Sequence, residues 1–136
     1  MKKITIIFLL CLTLFTATAC TRDKAGILFN TKPITEKNIY DYSTNFPVGS
    51  RIYYVILMPK KVESRYIYIQ VVKKDNDYGR LGYKLMQTRN IRLKDEEVNY
   101  FTDYLVLNES GYYFMKVYSK DRPQKVLAAA EFYVAK

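Results

Sequence analysis

The chain has 136 residues, of which 49% are hydrophobic and 26% charged, with 22 Lys and Arg against 13 Asp and Glu for a formal charge of +9. That apolar content suits one folded domain, and neither disorder nor a multidomain protein fits it. Fourteen Tyr stand beside no His, no Trp and two Cys, which removes the commonest general base and metal ligand and allows one intrachain disulfide at most.

The N-terminus reads as an export signal. Met1-Lys2-Lys3 is positively charged, and from Ile4 to Phe15 only Thr5, Cys11 and Thr13 interrupt large apolar side chains. This run is shorter than the ~20 residues of a membrane-spanning helix, and the small residues Thr16-Ala17-Thr18-Ala19 follow it. Ala17-Thr18-Ala19-Cys20 resembles the lipobox of bacterial lipoproteins, with Ala17 where that family most often carries Leu. The resemblance covers about the first twenty residues, a usual signal length. It implies cleavage after Ala19 and a diacylglycerol-modified, acylated Cys20. Ala17-Thr18-Ala19 also fits an A-x-A site of ordinary secretion, which would leave Cys20 as an exposed thiol.

Cleavage before Cys20 removes Cys11 with residues 1–19 and lowers the formal charge from +9 to +7 by taking Lys2 and Lys3. With Cys20 acylated, no disulfide and no thiol chemistry then remain, so the domain must be held by its own core. The lipoprotein reading implies an exported protein anchored to the cell envelope. Thr21, in place of the Asp that retains enteric-type lipoproteins at the inner membrane, favours the outer membrane where there are two.

Residues 20–33 are read as the acylated Cys and a tether, because TRDKAGILFNTKP shows no sustained period and ends at Pro33. Beyond them, short runs rich in Ile, Val, Tyr and Phe alternate with polar or Gly/Pro breaks, the pattern of an all-β domain over 34–136. Expected strands are Asn38 to Thr44, Arg51 to Met58, Arg65 to Lys73, Tyr83 to Arg92, Tyr100 to Leu107, Tyr112 to Ser119 and Lys125 to Val134. Phe46-Pro47-Val48-Gly49, Pro59-Lys60-Lys61, Asp75-Asn76-Asp77-Tyr78-Gly79 and Lys120-Asp121-Arg122-Pro123-Gln124 supply the breaks. About seven strands at this spacing suggest a single two-sheet sandwich.

Glu109-Ser110-Gly111-Tyr112-Tyr113-Phe114-Met115 resembles the D-S-G-x-Y-x-C stretch of immunoglobulin-like domains. The resemblance implies that Tyr113 is the structural tyrosine corner and that Met115 takes the place of the core Cys. The core Trp of true immunoglobulin domains has no counterpart.

No catalytic machinery is legible. Without His, a hydrolytic triad would need a Ser-Lys or paired-carboxylate arrangement, and no Ser of the mature part lies in a G-x-S-x-G or S-x-x-K setting. Asp75, Asp77 and Asp95-Glu96-Glu97 lack calcium-loop spacing, and no His or Cys is left for zinc. The expectation is a protein that is no enzyme and carries no metal or cofactor beyond the acyl group.

Two features suit binding. Lys60, Lys61, Arg65, Lys73, Lys74, Arg80, Lys84, Arg89, Arg92 and Lys94 crowd residues 60–94, and Lys73, Lys74, Lys84, Arg89 and Arg92 form a candidate basic patch for acidic glycans, headgroups or acidic proteins. Solubilising the strand edges is the plainer role for these cations, and nucleic acid is not expected outside the cell. Strand alternation supplies the second feature. With Tyr113, Met115 and Val117 inward, Tyr112, Phe114, Lys116 and Tyr118 face out, and with Ile67, Ile69 and Val71 inward, Tyr66 and Tyr68 join them.

Such a face can dock an envelope protein, or a glycan by stacking on sugar rings. It can also be cross-strand pairing alone, or be covered by Ile27-Leu28-Phe29 folding back. The function expected is display of a binding domain at a membrane, with an envelope protein as partner and a glycan as the alternative.

Overall fold

The computed structural model describes residues 25–58, 65–75, 82–95, 99–120 and 122–136. Its eight strands are β1 (Gly26–Asn30), β2 (Asn45–Pro47), β3 (Arg51–Leu57), β4 (Tyr66–Lys74), β5 (Tyr83–Arg92), β6 (Tyr100–Val106), β7 (Gly111–Ser119) and β8 (Arg122–Ala135). They form two sheets, one of order β1-β3-β6 and one of order β2-β8-β7-β4-β5. Every pairing is antiparallel except that of β2 with β8.

The period of two decides what lies between the sheets. In β7, Tyr113, Met115 and Val117 are fully buried, as are Ile67, Ile69 and Val71 of β4, and β4 pairs with β7 in the register Ile69 to Val117 and Val71 to Met115. The smaller sheet answers with Ile52, Tyr54 and Ile56 of β3 and with Phe101 and Leu105 of β6. An aromatic wedge closes the core, with Phe29 4.7 Å from Phe132 and 6.4 Å from Phe46, and Tyr113 stacked on Phe132 at 5.5 Å and 12°. Burying side chains of this size contributes roughly 1.5–3 kcal/mol each, enough to hold the domain without a disulfide.

Five of the expected strands appear nearly as read, and the last extends to Arg122–Ala135. Two readings are corrected. The expected tether over 20–33 contains β1, which pairs with β3 from Gly26 opposite Leu57 to Asn30 opposite Tyr53. Ile27 and Phe29 are buried, so the segment fills the core, and the sandwich begins at Gly26, eight residues earlier than the 34 expected. β1 lies in the smaller sheet, so its Ile27-Leu28-Phe29 does not cover the tyrosine face of the larger one.

The expected strand from Asn38 to Thr44 is a series of turns. Asp41 N donates to Asn38 O at 2.9 Å, and buried Asn30 holds the loop by donating Nδ2 to Asn38 O at 3.3 Å and to Asp41 O at 3.0 Å. The side chains of Asn30 and Asn38 satisfy backbone groups of this loop, which competes with a sheet ladder. The strand that follows is the short β2, whose Phe46 is buried.

The connections fix two ends. Val48 N donates to Ala135 O and Gly49 N to Leu107 O, both at 2.8 Å, which ties the sheets together where β8 ends and β7 begins. At the opposite end lie the start of β1, the ends of β3, β5 and β7 and the starts of β4, β6 and β8.

Candidate functional site

The outer face of the five-stranded sheet carries the aromatic residues that alternation sends away from the core. Register places Tyr68 opposite Tyr118, Gln70 opposite Lys116 and Val72 opposite Phe114 on β4 and β7. Tyr112 lies opposite Tyr133, and Phe114 opposite Glu131, on β7 and β8. All six side chains expected to form a binding face, Tyr66, Tyr68, Tyr112, Phe114, Lys116 and Tyr118, therefore share one side of one sheet.

They fall into two groups along β7. Near its start a row crosses the sheet, with Tyr83 5.7 Å from Phe114, Phe114 5.6 Å from Tyr112, and Tyr112 6.3 Å from Tyr133. The first two contacts are edge-to-face, the arrangement that the ring quadrupole favours. Near its end Tyr68 and Tyr118 meet at 6.1 Å, and Lys120 Nζ sits 5.2 Å from the centre of the Tyr66 ring. Gln70, Lys116 and Ala129 separate the groups.

The row is wet enough to be reached and rigid enough to bind. Tyr83, Tyr112 and Tyr133 are 48%, 41% and 42% exposed, and Leu85 beside them is 54% exposed. Tyr112 OH donates to Glu131 Oε2 at 2.7 Å, and this hydrogen bond and the charge of Glu131 raise the Tyr112 pKa. The hydroxyl is thereby oriented, which lowers the entropy lost when a partner packs on the ring.

Tyr83 and Tyr133 were not among the expected site residues. Tyr83 depends on an irregularity at Val71/Val72, which sets Leu85 opposite Val72 and Tyr83 opposite Lys74. Tyr133 depends on the pairing of β7 with β8, and the alternation of Val134 inward with Tyr133 outward was its only sequence signal.

The five cations of the candidate basic patch do not make one surface. Lys73 and Lys84 lie opposite each other at the end of the sheet, and both pair with Glu109 at 3.1 Å. The hydrogen bonds from Lys73 and then Lys84 hold the Glu109 carboxyl below its usual pKa. Lys74 alternates to the other face, and Arg92 lies across from Tyr66 at the far end of the pairing. Arg89 points between the sheets, where its Nη1 donates to Asp103 Oδ2 and, at 3.3 Å, to Tyr54 OH. Partial burial is the largest single effect and opposes the Arg89 charge, but the hydrogen bonds and charges of Asp103 and Tyr54 together outweigh it and the pKa stays raised. Burial pushes the Tyr54 hydroxyl up to about 12. Lys60, Lys61 and Arg80 of the wider cluster lie outside the described residues, as do Ala19 and Cys20.

The corner expected at Tyr113 is present in full. Its OH donates to Glu109 O at 2.6 Å, four residues back, while its ring is buried against Phe132. Burial, then the Glu109 charge, pushes its pKa up to about 12. Met115 is buried two residues on.

Between the sheets, Tyr54, Ile69, Val71, Gln87, Arg89, Leu105 and Met115 line a cavity of about 10 Å³, room for one water. Among the described residues no three His, Cys, Asp or Glu gather to hold a metal ion. The aromatic row is a surface, and what it offers chemically is contact area with the oriented hydroxyl of Tyr112.

No protein-family model matches the chain, and no curated protein matches it. Among solved structures it is similar to the PmoD soluble domain from Methylocystis sp. ATCC 49242 (Rockwell), at 12% identity and a TM-score of 0.50 over 82% of this chain and 90% of that one. It is similar to BslA, a bacterial hydrophobin, at 14% identity and a TM-score of 0.50 over 83% and 99% of the two chains. An immunoglobulin-like protein, PA1606 from Pseudomonas aeruginosa, aligns at 12% identity with a TM-score of 0.46 over 82% and 90%. At such identities the likeness concerns the fold alone, and the two packed sheets with the tyrosine corner give this chain the fold of an immunoglobulin-like β-sandwich.

Proposed function

We propose that the protein is an exported lipoprotein, anchored to the envelope through acylated Cys20, that docks a protein partner on the outer face of its five-stranded sheet. The observation that supports this most is the continuous row Tyr83, Phe114, Tyr112 and Tyr133. Tyr and Phe offer large, rigid contact area with two side-chain torsions each, and they are enriched in the buried centres of protein interfaces. No catalysis, cofactor or nucleic acid enters this reading, and the acyl chains are its only covalent addition.

The pairing of Lys73 and Lys84 with Glu109, and of Arg89 with Asp103, takes three cations away from the acidic-glycan alternative. The mechanism this favours is docking on aromatic surface with little salt dependence. Photo-crosslinking in the native bacterium tests it, with the crosslinker at position 112 and, as control, at Tyr104 on the other sheet. A discrete crosslinked protein at 112 only, lost in the Phe114→Ala background and insensitive to salt, is expected. Equal products at both positions, or none at 112, contradict the proposal. Retention on an acidic glycan that falls steeply with salt would replace it by the glycan reading.

A further inference from the structure

We propose that the end of the sandwich from which β1 starts is seated on the headgroup layer of the bilayer, which holds the row of Tyr83, Phe114, Tyr112 and Tyr133 at the far end. The proposal rests on the acylation of Cys20 proposed above, and it replaces a long flexible tether by a short one. Cys20 precedes Gly26 by six residues, and six fully extended residues reach at most about 20 Å. A lipid-attached Cys20 lies at the membrane surface, so Gly26 cannot rise above that surface by more than this reach.

The fold then decides what else lies at that end. Gly26 sits opposite Leu57 and Leu57 opposite Tyr100 in the smaller sheet. In the larger sheet the same end carries Tyr66 opposite Arg92, with Lys120 Nζ over the Tyr66 ring. Tyr66 and Tyr100 are 41% and 47% exposed, and Arg92 and Lys120 are exposed beside them. Rings with a polar tip, and long cationic side chains with apolar stems, are the types that settle at a membrane interface.

The seated end also carries the exposed ion pair of Arg65 with Asp95 at 3.0 Å, and the opposite end has a charged group of its own. There Glu109 pairs Lys73 with Lys84, and the loop held by Asn30 carries Tyr40 and Tyr42 into solvent. Along β7, Tyr118 lies toward the membrane and Tyr112 six residues further away, about 20 Å at the usual rise per strand residue. The partner is therefore engaged well above the headgroups, on a surface standing upright from the membrane.

Absence of Trp makes the test direct, because a single Tyr→Trp substitution reports only its own surroundings. Full-length protein purified from native membranes is placed in vesicles of phosphatidylethanolamine and phosphatidylglycerol that carry a nitroxide on a fraction of the headgroups. Tyr100→Trp and Tyr66→Trp are expected to lose most of their emission, whereas Tyr40→Trp and Tyr133→Trp keep theirs. Equal quenching at both ends, or stronger quenching at Tyr133→Trp, overturns the seating. Intact mass of the same preparations separates the two layers of the argument. Acylated Cys20 with an unquenched Tyr100→Trp sinks the seating alone, and an unmodified Cys20 in protein that does not float with the vesicles sinks the anchor and the seating together.

Discussion

Tyr112 and Tyr113 are neighbours with the same side chain, and the sheet gives them opposite work. Tyr113 is buried, stacks on Phe132 and closes a hydrogen bond to Glu109 O. Tyr112 faces out, is 41% exposed, and joins the row of rings that a partner could cover. The comparison extends to the whole of the larger sheet, whose inner side packs Ile, Val and Met with the buried rings of Phe46, Tyr113 and Phe132, and whose outer side holds exposed tyrosines. The inner side makes the fold, and the outer side carries the proposed docking surface.

The largest expected effect follows from that division. Tyr113→Ala should cost about 3–5 kcal/mol of unfolding free energy, by analogy with buried Phe→Ala changes, whereas Tyr112→Ala should cost under about 1 kcal/mol. Urea unfolding of the two variants measures the gap. Similar losses at both positions would show the outer face to be structural.

A second experiment asks how the sheets are joined. Arg89→Met leaves Asp103 and Tyr54 OH without their inter-sheet donor and should cost about 1–3 kcal/mol, less than a fully buried pair because both partners keep some exposure. Adding Asp103→Leu should recover part of the loss, and a thermodynamic cycle over the three variants reads the coupling.

At the turn into β7, Gly111 has φ of 151°, and a Cβ there would lie 2.5 Å from Lys73 Cε. Gly111→Ala should cost about 1–2 kcal/mol through backbone strain and displacement of Lys73. A destabilisation of that size with Tyr112 binding intact would show that the corner tolerates a shift of the Lys73–Glu109–Lys84 group.

The smallest effect is electrostatic. Lys73 and then Lys84 depress the Glu109 pKa below its ordinary 4.5. A depressed carboxylate contributes stability above the unfolded value that is lost as pH falls through the folded one. The wild type should therefore lose slightly more stability than Glu109→Gln as pH drops below about 4.5. Parallel acid limbs for the two proteins would remove Glu109 from the account.

Alternation made much of this legible. The inward set of β4 and β7 and the outward tyrosines follow from counting by two, and the corner followed from Gly111, Tyr113 and Met115 together. β1 was missed because five residues at an edge offer only Ile27 and Phe29 as inward signals, and the polar residues around them look like a linker. Tyr40 and Tyr42 imitated the alternation of a strand, while Asn30 and Asn38 committed the segment to turns. The cations of residues 60–94 looked continuous along the chain, but Lys73 and Lys74 point to opposite sides, and only the folded structure brings Glu109 and Asp103 to their partners. Pairing across strands far apart in sequence, on which the meeting of Tyr83 with Phe114 depends through β4, has no local signal at all.

The account stands on the display of this aromatic face from a membrane, and the anchor is its most direct point of test. Intact mass spectrometry of the N-terminal peptide from membrane and soluble fractions of the native bacterium should find Cys20 diacylated or triacylated, in the membrane fraction. An unmodified, soluble chain beginning at Cys20 would contradict it.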